Sequence, residues 1–452
     1  MRKINRRHFL ASAAAAGAGL TLRSESIMAG GISNPDNEKP AILGGNKTIP
    51  DKFPKWPMYD NGESKELLDV LYSDKWGRLS GKKTSKFEEE YAKIHGVQNC
   101  LATTSGTSAL LTMLGALGIG PGDEVIIPVY TFIATYNTVV LNYALPVIVD
   151  MDPDSFQIDA KKIEAAITKN TKAIMPVHMG GSPADLDAIL AIGKKYNIPV
   201  LEDACQAPLA EWRGKKVGTW GLAGGFSFQS SKNLCCGEGG AVISNDKKFI
   251  DDCYNFHHQG WWSGSGQDNN SFDIKTRGSN LRITEFQSGI LLSQMTRLIE
   301  QSKIRYENAL YLSSLFNEIP GLVPAKLHEG TTNSAYHFYM FRYEKEGFEG
   351  LSREQFIQAM SQEGINLSSG YGKIYTYITN LAKSKYYLKI YGEKEMKRWL
   401  EKIKCPVNEK ISAEHSVWIS QSDLLTSRKQ LELIAVAARK IQKYAKEIKN
   451  KG

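Results

Sequence analysis

The 452-residue chain contains only six cysteines, and their spacing matches no metal site. Cys235 and Cys236 are adjacent, where a disulfide would be strained, and the sequence leaves their role open. Beyond residue 29 the chain also lacks the ~20 uninterrupted apolar residues that a membrane-spanning helix needs. The sequence therefore predicts neither a metal centre nor a membrane span after its N-terminal segment.

A strong excess of charge is missing as well. The formal net charge is +8 at pH 7, and residues 1–29, with five basic residues and one acid, carry half of it. The remaining charge is too small to indicate a nucleic-acid partner, and no basic stripe with interleaved aromatic residues appears. Hydrophobic residues make up 42% of the chain and charged residues 23%, which is typical of a globular protein long enough for two domains.

The first 29 residues differ in composition from the rest of the chain. Arg6 and Arg7 precede an Ala- and Gly-rich, weakly apolar stretch that ends at Leu22. This pattern resembles a twin-arginine export signal, with an ordinary secretory signal or a disordered tail as the alternatives. We expect export and a periplasmic location, or a cytoplasmic one if the segment does not act as a signal. Residues 30–62 are polar and rich in Gly and Pro, which predicts a linker or N-terminal arm.

From residue 63 onward, apolar segments with strand character alternate with helical patterns. The segments predicted as strands are 125–129, 147–150, 173–177 and 199–202. Their alternation with helices predicts an α/β fold with a parallel, doubly wound sheet, in which ligands bind at the carboxyl ends of the strands. Helical spacing over 285–318 predicts a long bridging helix. We therefore place a large domain at 63–284 and the bridging helix with a small domain at 285–452.

The end of the chain is rich in lysine. Apolar residues at helical spacing predict a final helix over 427–449, with its apolar stripe in the core of the small domain. The basic residues of 439–451 are predicted to form the solvated face of that helix.

Lys232 is an unusual lysine, because it lies in a Ser-, Asn- and Gly-rich turn between two predicted strands, 225–229 and 241–244. In partly apolar surroundings a lysine loses its proton readily, and a neutral amine can form a Schiff base with an aldehyde. Asp203 ends a buried strand 29 residues earlier. Such a pair fits pyridoxal phosphate, whose aldehyde carbon the lysine holds and whose ring nitrogen the aspartate keeps protonated. A loop lysine and a helix-capping aspartate are the alternative.

An ordered set of motifs surrounds this pair. The motifs are SGTSAL from residue 105, PGDEVIIPVYTF from 121, PVHMGGSPADLD from 176, EDACQA from 202, GEGGAVISND from 237 and SNLRITEFQSGILLSQ from 279. Together they resemble the DegT/DnrJ/EryC1/StrS family of pyridoxal-phosphate-dependent aminotransferases, which act on keto-sugars and keto-cyclitols. The resemblance begins near residue 56 and implies the aminotransferase fold type I, a mostly parallel doubly wound sheet with a smaller α+β C-terminal domain.

The resemblance also implies which residues bind the cofactor. The backbone of Gly106 and Thr107 would hold its phosphate, and the hydroxyl of Ser227 would add a hydrogen bond. Phe132 would stack on the pyridine ring, and Gln206 would bind the ring hydroxyl. Asp203 and Lys232 would then be the catalytic residues as well as cofactor ligands.

Asn280 matches a residue that, in relatives, reaches the phosphate of the neighbouring subunit's cofactor. This implies an obligate homodimer with a shared active site. Ser279 and Leu281 depart from the commonest form of this motif in the family. His178 also matches a family position, but we predict it to be a structural histidine with satisfied hydrogen bonds.

The implied reaction is ping-pong transamination. Lys232 would hold the cofactor as an internal aldimine, yield to an amino donor such as glutamate or glutamine, and then move a proton as general base and acid. The acceptor would be a keto-sugar or keto-cyclitol, and the run 405–425 looks closer to the cyclitol and aminoshikimate-type branch. A sugar dehydratase of the same fold and a non-catalytic exported binding or sensor protein are the alternatives. Lys232 argues against the first, where histidine replaces it, and the complete set of cofactor residues argues against the second.

Overall fold

The computed structural model describes residues 39–261, 277–372 and 375–451. The predicted export signal, 1–29, lies outside these residues. In the part of the chain that is described, no helix is both long and apolar enough to cross a membrane.

Strands and helices alternate through the first two thirds of the described chain. The strands are β1 (Asn99–Thr103), β2 (Glu124–Pro128), β3 (Leu145–Val149), β4 (Thr171–Ile174), β5 (Leu201–Asp203), β6 (Glu211–Trp212), β7 (Lys215–Lys216), β8 (Ala223–Ser227), β9 (Gly240–Ser244), β10 (Leu322–Pro324), β11 (Thr331–Asn333), β12 (Phe338–Tyr343) and β13 (Ser416–Ser420). The α-helices are α1 (Asn61–Tyr72), α2 (Lys83–His95), α3 (Gly106–Ala116), α4 (Ile133–Leu141), α5 (Ala160–Ala166), α6 (Leu186–Tyr196), α7 (Lys247–His257), α8 (Glu285–Phe316), α9 (Arg353–Glu363), α10 (Tyr375–Ala382), α11 (Lys385–Lys402), α12 (Pro406–Lys410), α13 (Arg428–Lys443) and α14 (Ala445–Lys451).

The large sheet has the strand order β3-β2-β4-β5-β8-β9-β1. Strands β3, β2 and β4 pair in parallel, and single parallel bridges at Ile174–Val200 and Val177–Asp203 join β4 to β5. Only β9 runs antiparallel to its neighbours, β8 and β1. Strands β2 and β9 are nearly continuous apolar runs and are buried along almost their whole length, as is typical of a sheet covered by helices on both faces. The mostly parallel sheet predicted from the sequence is confirmed, and the four predicted strands overlap β2, β3, β4 and β5.

Helix α8 begins at Glu285, as predicted, and is 32 residues long. Thr284 and Gln287 form a capping box that fixes this start. The Oε1 of Gln287 accepts from the backbone N–H of Thr284 at 3.0 Å and from its hydroxyl at 2.8 Å. Beyond α8, strands β10, β12 and β13 form an antiparallel sheet. Buried residues of α8, α9 and α13 pack against this sheet to form the second core.

The predicted final helix is divided into α13 and α14. Tyr444 separates them, with φ −107° and ψ 15°, outside helical values. The apolar stripe lies in the core as predicted, since Leu431, Ile434 and Ala438 are all fully buried. The prediction of a solvated basic face is wrong for Lys440, which is 2% exposed, because its ammonium binds groups of the N-terminal arm described next.

The N-terminal arm, from Lys39 to α1, lies against the small sheet and its helices. Ile49 is completely buried in that core. The backbone N–H groups of Ala41 and Thr48 donate to the Glu363 carboxylate at 2.7 and 2.9 Å, and Lys440 pairs with the same carboxylate at 3.3 Å. A buried ion pair thus anchors a segment whose composition alone is that of a linker.

Helices α10 and α11 follow the small sheet's first strands in the chain but pack against the core of the large sheet. The Tyr387 hydroxyl donates to Ala144 O at 2.8 Å, and the Trp399 indole donates to Pro146 O at 2.9 Å. The C-terminal part of the chain therefore covers the large sheet as well as building the small one, and it brings Tyr371, just before α10, to the site described below.

Candidate active site

A cavity of about 530 Å³ opens where strands β5 and β8 end and helix α3 begins. This is the edge of the sheet at which doubly wound folds bind ligands. The predicted site residues that line it are Gly106, Thr107, Phe132, Asp203, Gln206, Ser227 and Lys232. Asn280, the remaining one, lies outside the cavity of its own chain.

The first turn of α3 forms one wall of the cavity. Ser105 is its N-cap, and its hydroxyl accepts from Ser108 N at 3.0 Å. The amides of Gly106 and Thr107 have no acceptor within the helix, as in any first turn, and they lie at its positive end. A Cβ on Gly106 would lie 2.6 Å from the Cβ of Ser227, so only glycine fits. Backbone amides and a hydroxyl thus form a cradle suited to a phosphate.

Asp203 is buried at the end of β5, and its carboxylate is held by two donors. Thr135 Oγ1 donates to Oδ2 at 2.7 Å, and Cys205 N donates to Oδ1 at 3.1 Å. These donors offset part of the hydration that the buried carboxylate has lost, and the ring N–H of a bound pyridinium would offset more of it. Thr135 was missed by the sequence analysis. Its position three residues after Phe132 at the start of α4 is the signal that could have indicated it.

Gln206 presents a donor to the cavity. Gly180 N donates to its Oε1 at 2.8 Å, so its Nε2 points the other way and donates to the Tyr371 hydroxyl at 2.9 Å. The second N–H of that amide remains for a ring oxygen. The Phe132 ring, 51% exposed, is 5.9 Å from the Tyr371 ring between their centroids, and both line the cavity. The sequence gives no local signal for Tyr371, which is 165 residues from Gln206.

Lys232 lies in the turn between β8 and β9 and is open on one side to the cavity. Burial of the amine lowers its pKa, and this effect exceeds the opposing effects of Cys205 and Asp203. Its Nζ is 3.3 Å from Nε2 of His337, a buried residue that the sequence analysis missed. Over residues 39–261, 277–372 and 375–451, no carboxylate forms an ion pair with Lys232. The structure therefore holds an amine whose pKa lies below that of an ordinary lysine.

His178 lies below the cavity and is fully buried. Ala184 N donates to its Nδ1 at 3.1 Å, so Nε2 carries the proton and donates to Glu202 at 3.0 Å. Both ring nitrogens are satisfied, which confirms the prediction of a structural histidine.

The geometry of this cavity agrees with a comparison to known sequences. The sequence model of the DegT/DnrJ/EryC1/StrS aminotransferase family matches residues 57–420. The chain belongs to this family. Known members include 3-amino-5-hydroxybenzoate synthase of Amycolatopsis mediterranei, 36% identical over 324 residues that span 72% of this chain and 82% of the relative. An L-glutamine:2-deoxy-scyllo-inosose aminotransferase of Streptoalloteichus tenebrarius is 32% identical over 90% of this chain and 99% of its own.

Solved structures give the same result. The crystal structure of 3-amino-5-hydroxybenzoic acid synthase superposes with a TM-score of 0.76 at 32% identity, covering 87% of this chain and 99% of that one. DesV of S. venezuelae, solved with a ketimine intermediate, superposes with a TM-score of 0.71 at 26% identity over 85% of this chain and 94% of its own. These neighbours are pyridoxal-phosphate-dependent aminotransferases of fold type I, and this chain is an aminotransferase with that fold.

The residues of this aminotransferase fit the cofactor of its relatives. The amide cradle at the start of α3 suits a phosphate, the enclosed Asp203 carboxylate suits a protonated ring nitrogen, and Lys232 provides an amine of lowered pKa. These groups face one cavity. The individual cofactor contacts stay predictions.

Asn280 lies on the surface, beside His258, with which it forms a single antiparallel bridge. Its predicted contact with a partner's cofactor requires a second subunit and stays a prediction. Cys235 and Cys236, which follow Lys232, are buried free thiols. Burial raises the pKa of Cys235 to about 11, so this thiol is protonated and unreactive at neutral pH.

Proposed function

We propose that this aminotransferase carries pyridoxal phosphate on Lys232 and transfers an amino group from glutamine or glutamate to a keto-cyclitol or keto-sugar. The observation that supports this is the convergence of an amine of lowered pKa, a buried carboxylate and a phosphate cradle on one cavity. The substrate class is supported by relatives named for amination of 2-deoxy-scyllo-inosose with L-glutamine.

When bound, pyridoxal phosphate supplies an aldehyde for the amine and a ring that accepts electrons. The chain's residues then bind, orient and move protons. Asp203 would hold the ring nitrogen protonated, and Thr135 keeps its carboxylate in place. Gln206 would donate to the ring oxygen through the N–H that Tyr371 leaves free. Lys232 would act as the base that takes the proton from the substrate carbon and as the acid that returns it.

The test uses purified full-length protein loaded with pyridoxal phosphate. We expect absorbance near the visible edge. Borohydride should abolish it irreversibly while attaching the cofactor covalently to the protein, and glutamine or glutamate added without an acceptor should abolish it reversibly. A keto-cyclitol such as 2-deoxy-scyllo-inosose should then restore it, and keto-sugars form the second panel. Release of water from a sugar without any amino donor would instead indicate a dehydratase. A protein that binds these compounds without spectral change would be a binding or sensor protein.

We further propose that the enzyme is a homodimer whose active sites are shared. Support comes from the surface position of Asn280 and from two apolar side chains near the same segment, Trp76 and Leu79, which are 51% and 64% exposed. Trp76 lies at this segment because its carbonyl accepts from Glu285 N at 3.0 Å. Contiguous exposed apolar surface is typical of subunit interfaces.

Subunit mixing tests the shared site. Lys232→Ala and Asn280→Asp subunits are expected to be nearly inactive alone, since each lacks one component of every site. A mixed dimer contains one site with both residues intact, and random mixing of equal amounts makes about half of the dimers mixed. Mixing should therefore restore about a quarter of the wild-type activity, averaged over all sites. Additivity of the two residual activities after mixing would contradict the shared site. Sedimentation of each variant verifies that the dimers form.

We also propose that residues 1–29 direct export by the twin-arginine route, which carries folded proteins. An exported enzyme would meet acceptors that are not linked to nucleotides, which is consistent with a cyclitol. Replacing Arg6 and Arg7 together by lysine should retain the full-length protein in the cytoplasm, as measured by cell fractionation. Unchanged export of that variant would favour an ordinary secretory signal, and no export of either form would favour a cytoplasmic enzyme.

A further inference from the structure

The catalytic lysine contacts a histidine, and that histidine contacts an amide. Lys232 Nζ is 3.3 Å from His337 Nε2, and His337 Nδ1 is 3.2 Å from Asn233 Oδ1. The Asn233 Nδ2 donates to Ala335 O at 2.7 Å. His337 is 2% exposed and Asn233 is 3% exposed, so water has little access to this chain of hydrogen bonds.

The direction of each hydrogen bond in this series follows from the carbonyl of Ala335, at which the series ends. Ala335 O can only accept, so the Asn233 amide must turn its NH₂ toward Ala335 and its oxygen toward the ring. That oxygen can only accept, so Nδ1 of His337 carries a proton. A neutral imidazole has one N–H, which leaves Nε2 bare. The Lys232 amine is therefore the donor in its contact with His337.

The surroundings of His337 keep the ring neutral. Burial lowers its pKa well below the usual range, and the cations that face it, Lys232 from the turn and Arg305 from α8, lower it further. Arg305 is itself completely buried. Asp203 and Cys205, which act on Lys232, favour a proton on the amine rather than on the ring. His337 is thus a fixed acceptor and not a competing base.

We infer that His337, held in its Nδ1–H form by Asn233, is a positioning residue for the Lys232 amine. A tetrahedral nitrogen with one N–H bound to Nε2 cannot rotate freely about the Cε–Nζ bond, so its lone pair is directed away from the ring of His337. Because proton transfer depends on such alignment, loss of the acceptor should affect turnover more than donor binding. This inference rests on the proposed role of Lys232 in moving the proton.

The first test needs no substrate. In cofactor-free full-length protein labelled with ¹⁵N-histidine, the His337 signal, identified by its loss in His337→Gln, should show a protonated Nδ1 and a bare Nε2 at neutral pH. Acylation of Lys232, followed across pH by peptide mass spectrometry, should shift to lower pH in His337→Phe, because an acceptor favours the charged amine. An Nε2–H ring in the wild-type protein would overturn the inference, as would an acylation midpoint that does not move.

The second test uses the loaded enzyme. His337→Phe should lower kcat roughly 10- to 100-fold and change KM for the amino donor less than about threefold. His337→Gln, whose side-chain oxygen can accept from Lys232, should restore most of the loss. His328→Gln, which changes a histidine before β11 and outside the cavity, is the matched control. Equal losses in the Phe and Gln variants, or a loss confined to KM, would contradict positioning through an acceptor.

Asn233→Asp keeps the shape but changes the charge, and it serves even if His337→Phe does not fold. A carboxylate beside Nδ1 favours the imidazolium, whose Nε2–H cannot accept from Lys232. Activity of this variant should therefore rise with pH as the ring loses its second proton, in a limb that the wild-type profile lacks. A wild-type pH profile would overturn the inference. If no keto-cyclitol or keto-sugar substrate is found, turnover cannot be measured. The NMR and acylation results then still test the positioning role of His337, so a failure of this inference is distinct from a failure of the proposed function.

Discussion

Lys440 is fully buried and Lys232 is partly buried, and the neighbours of these two amines differ in kind. Lys440 donates to Asn46 O at 2.7 Å and lies 3.3 Å from the Glu363 carboxylate, itself fully buried. Lys232 faces a cavity, and its amine contacts only the neutral ring of His337, at 3.3 Å, among the hydrogen-bond partners in the described chain.

The difference indicates that the groups around a buried amine, and not its burial alone, decide what the lysine can do. A carboxylate and two oxygen acceptors complete the surroundings of the Lys440 ammonium, so it holds the N-terminal arm to the small domain. Lys232 lacks such a set, and the cost of burying its charge lowers its pKa. One site uses a buried ion pair for structure, and the other holds an amine without a carboxylate in an ion pair with it, which suits the proposed chemistry.

Substitution of Lys232 and of Lys440 should have the largest and most different effects on activity. Lys232→Ala is expected to lower kcat at least about a thousand-fold, because it removes both the covalent attachment and the proton carrier, while the free energy of unfolding changes little. Transaminase assays and the absorbance near the visible edge measure the loss. Lys440→Met is the control, with activity per folded enzyme near wild type at permissive temperature. Full activity in Lys232→Ala would contradict both the proposed function and the different roles assigned to the two lysines.

The reverse pattern is expected for stability. Lys440→Met leaves the Glu363 carboxylate buried without its cation, which should cost about 3–5 kcal/mol of unfolding free energy in urea titrations. Lys446→Met, an exposed lysine on α14, should change it by less than about 0.5 kcal/mol. The double variant with Glu363→Leu should lose less than the sum of the two single variants, because the unpaired charge is gone. Strict additivity would show that the two groups do not act as a pair.

Chemical labelling of amines compares Lys232 with Lys440 without any substitution in the protein. Acylating reagents react with neutral amines, so the lowered pKa of Lys232 raises its reactive fraction at a given pH, about tenfold for each unit below a surface lysine. In cofactor-free protein Lys232 should therefore be modified at lower pH than the exposed Lys446. Lys440 should be modified only as the protein unfolds, because its surroundings exclude the reagent. Peptide mass spectrometry measures all three residues in one sample, and equal midpoints for Lys232 and Lys446 would contradict the difference.

The site residues that the sequence analysis identified are those whose local sequence carries the information. Asp203 ends a strand, Gly106 begins a helix after a capping serine, and Lys232 lies in the turn between two strands. Because parallel strands end at the same edge of a sheet, these three residues are expected to lie close together, and all three line the cavity. Thr135 and His337 were not identified. Thr135 could have been identified by asking which residues of the helix lie on the same face as Phe132. His337 lies 105 residues from the lysine that it contacts, so no local pattern connects the two.

The histidines show the limit of local information. His178 lies in a motif of the family, yet its ring is bound to Glu202 and Ala184 and does not line the cavity. His337 has no such motif in our sequence analysis, yet it contacts the amine. The choice between them depends on how β12 and the segment before it pack against the turn that carries Lys232, which is a property of the whole fold.

The sequence by itself determined six of the seven strands of the large sheet, the start of α8, the turn that carries Lys232 and the family, because hydrophobic period, caps and short motifs act over a few residues. Only the tertiary structure decided that the segment before α1 is anchored by Lys440 and Glu363, and that His337 and Tyr371 complete the site. These contacts join residues far apart in the chain. Their energies depend on which charges and apolar surfaces the packed core encloses together, and no local pattern encodes that.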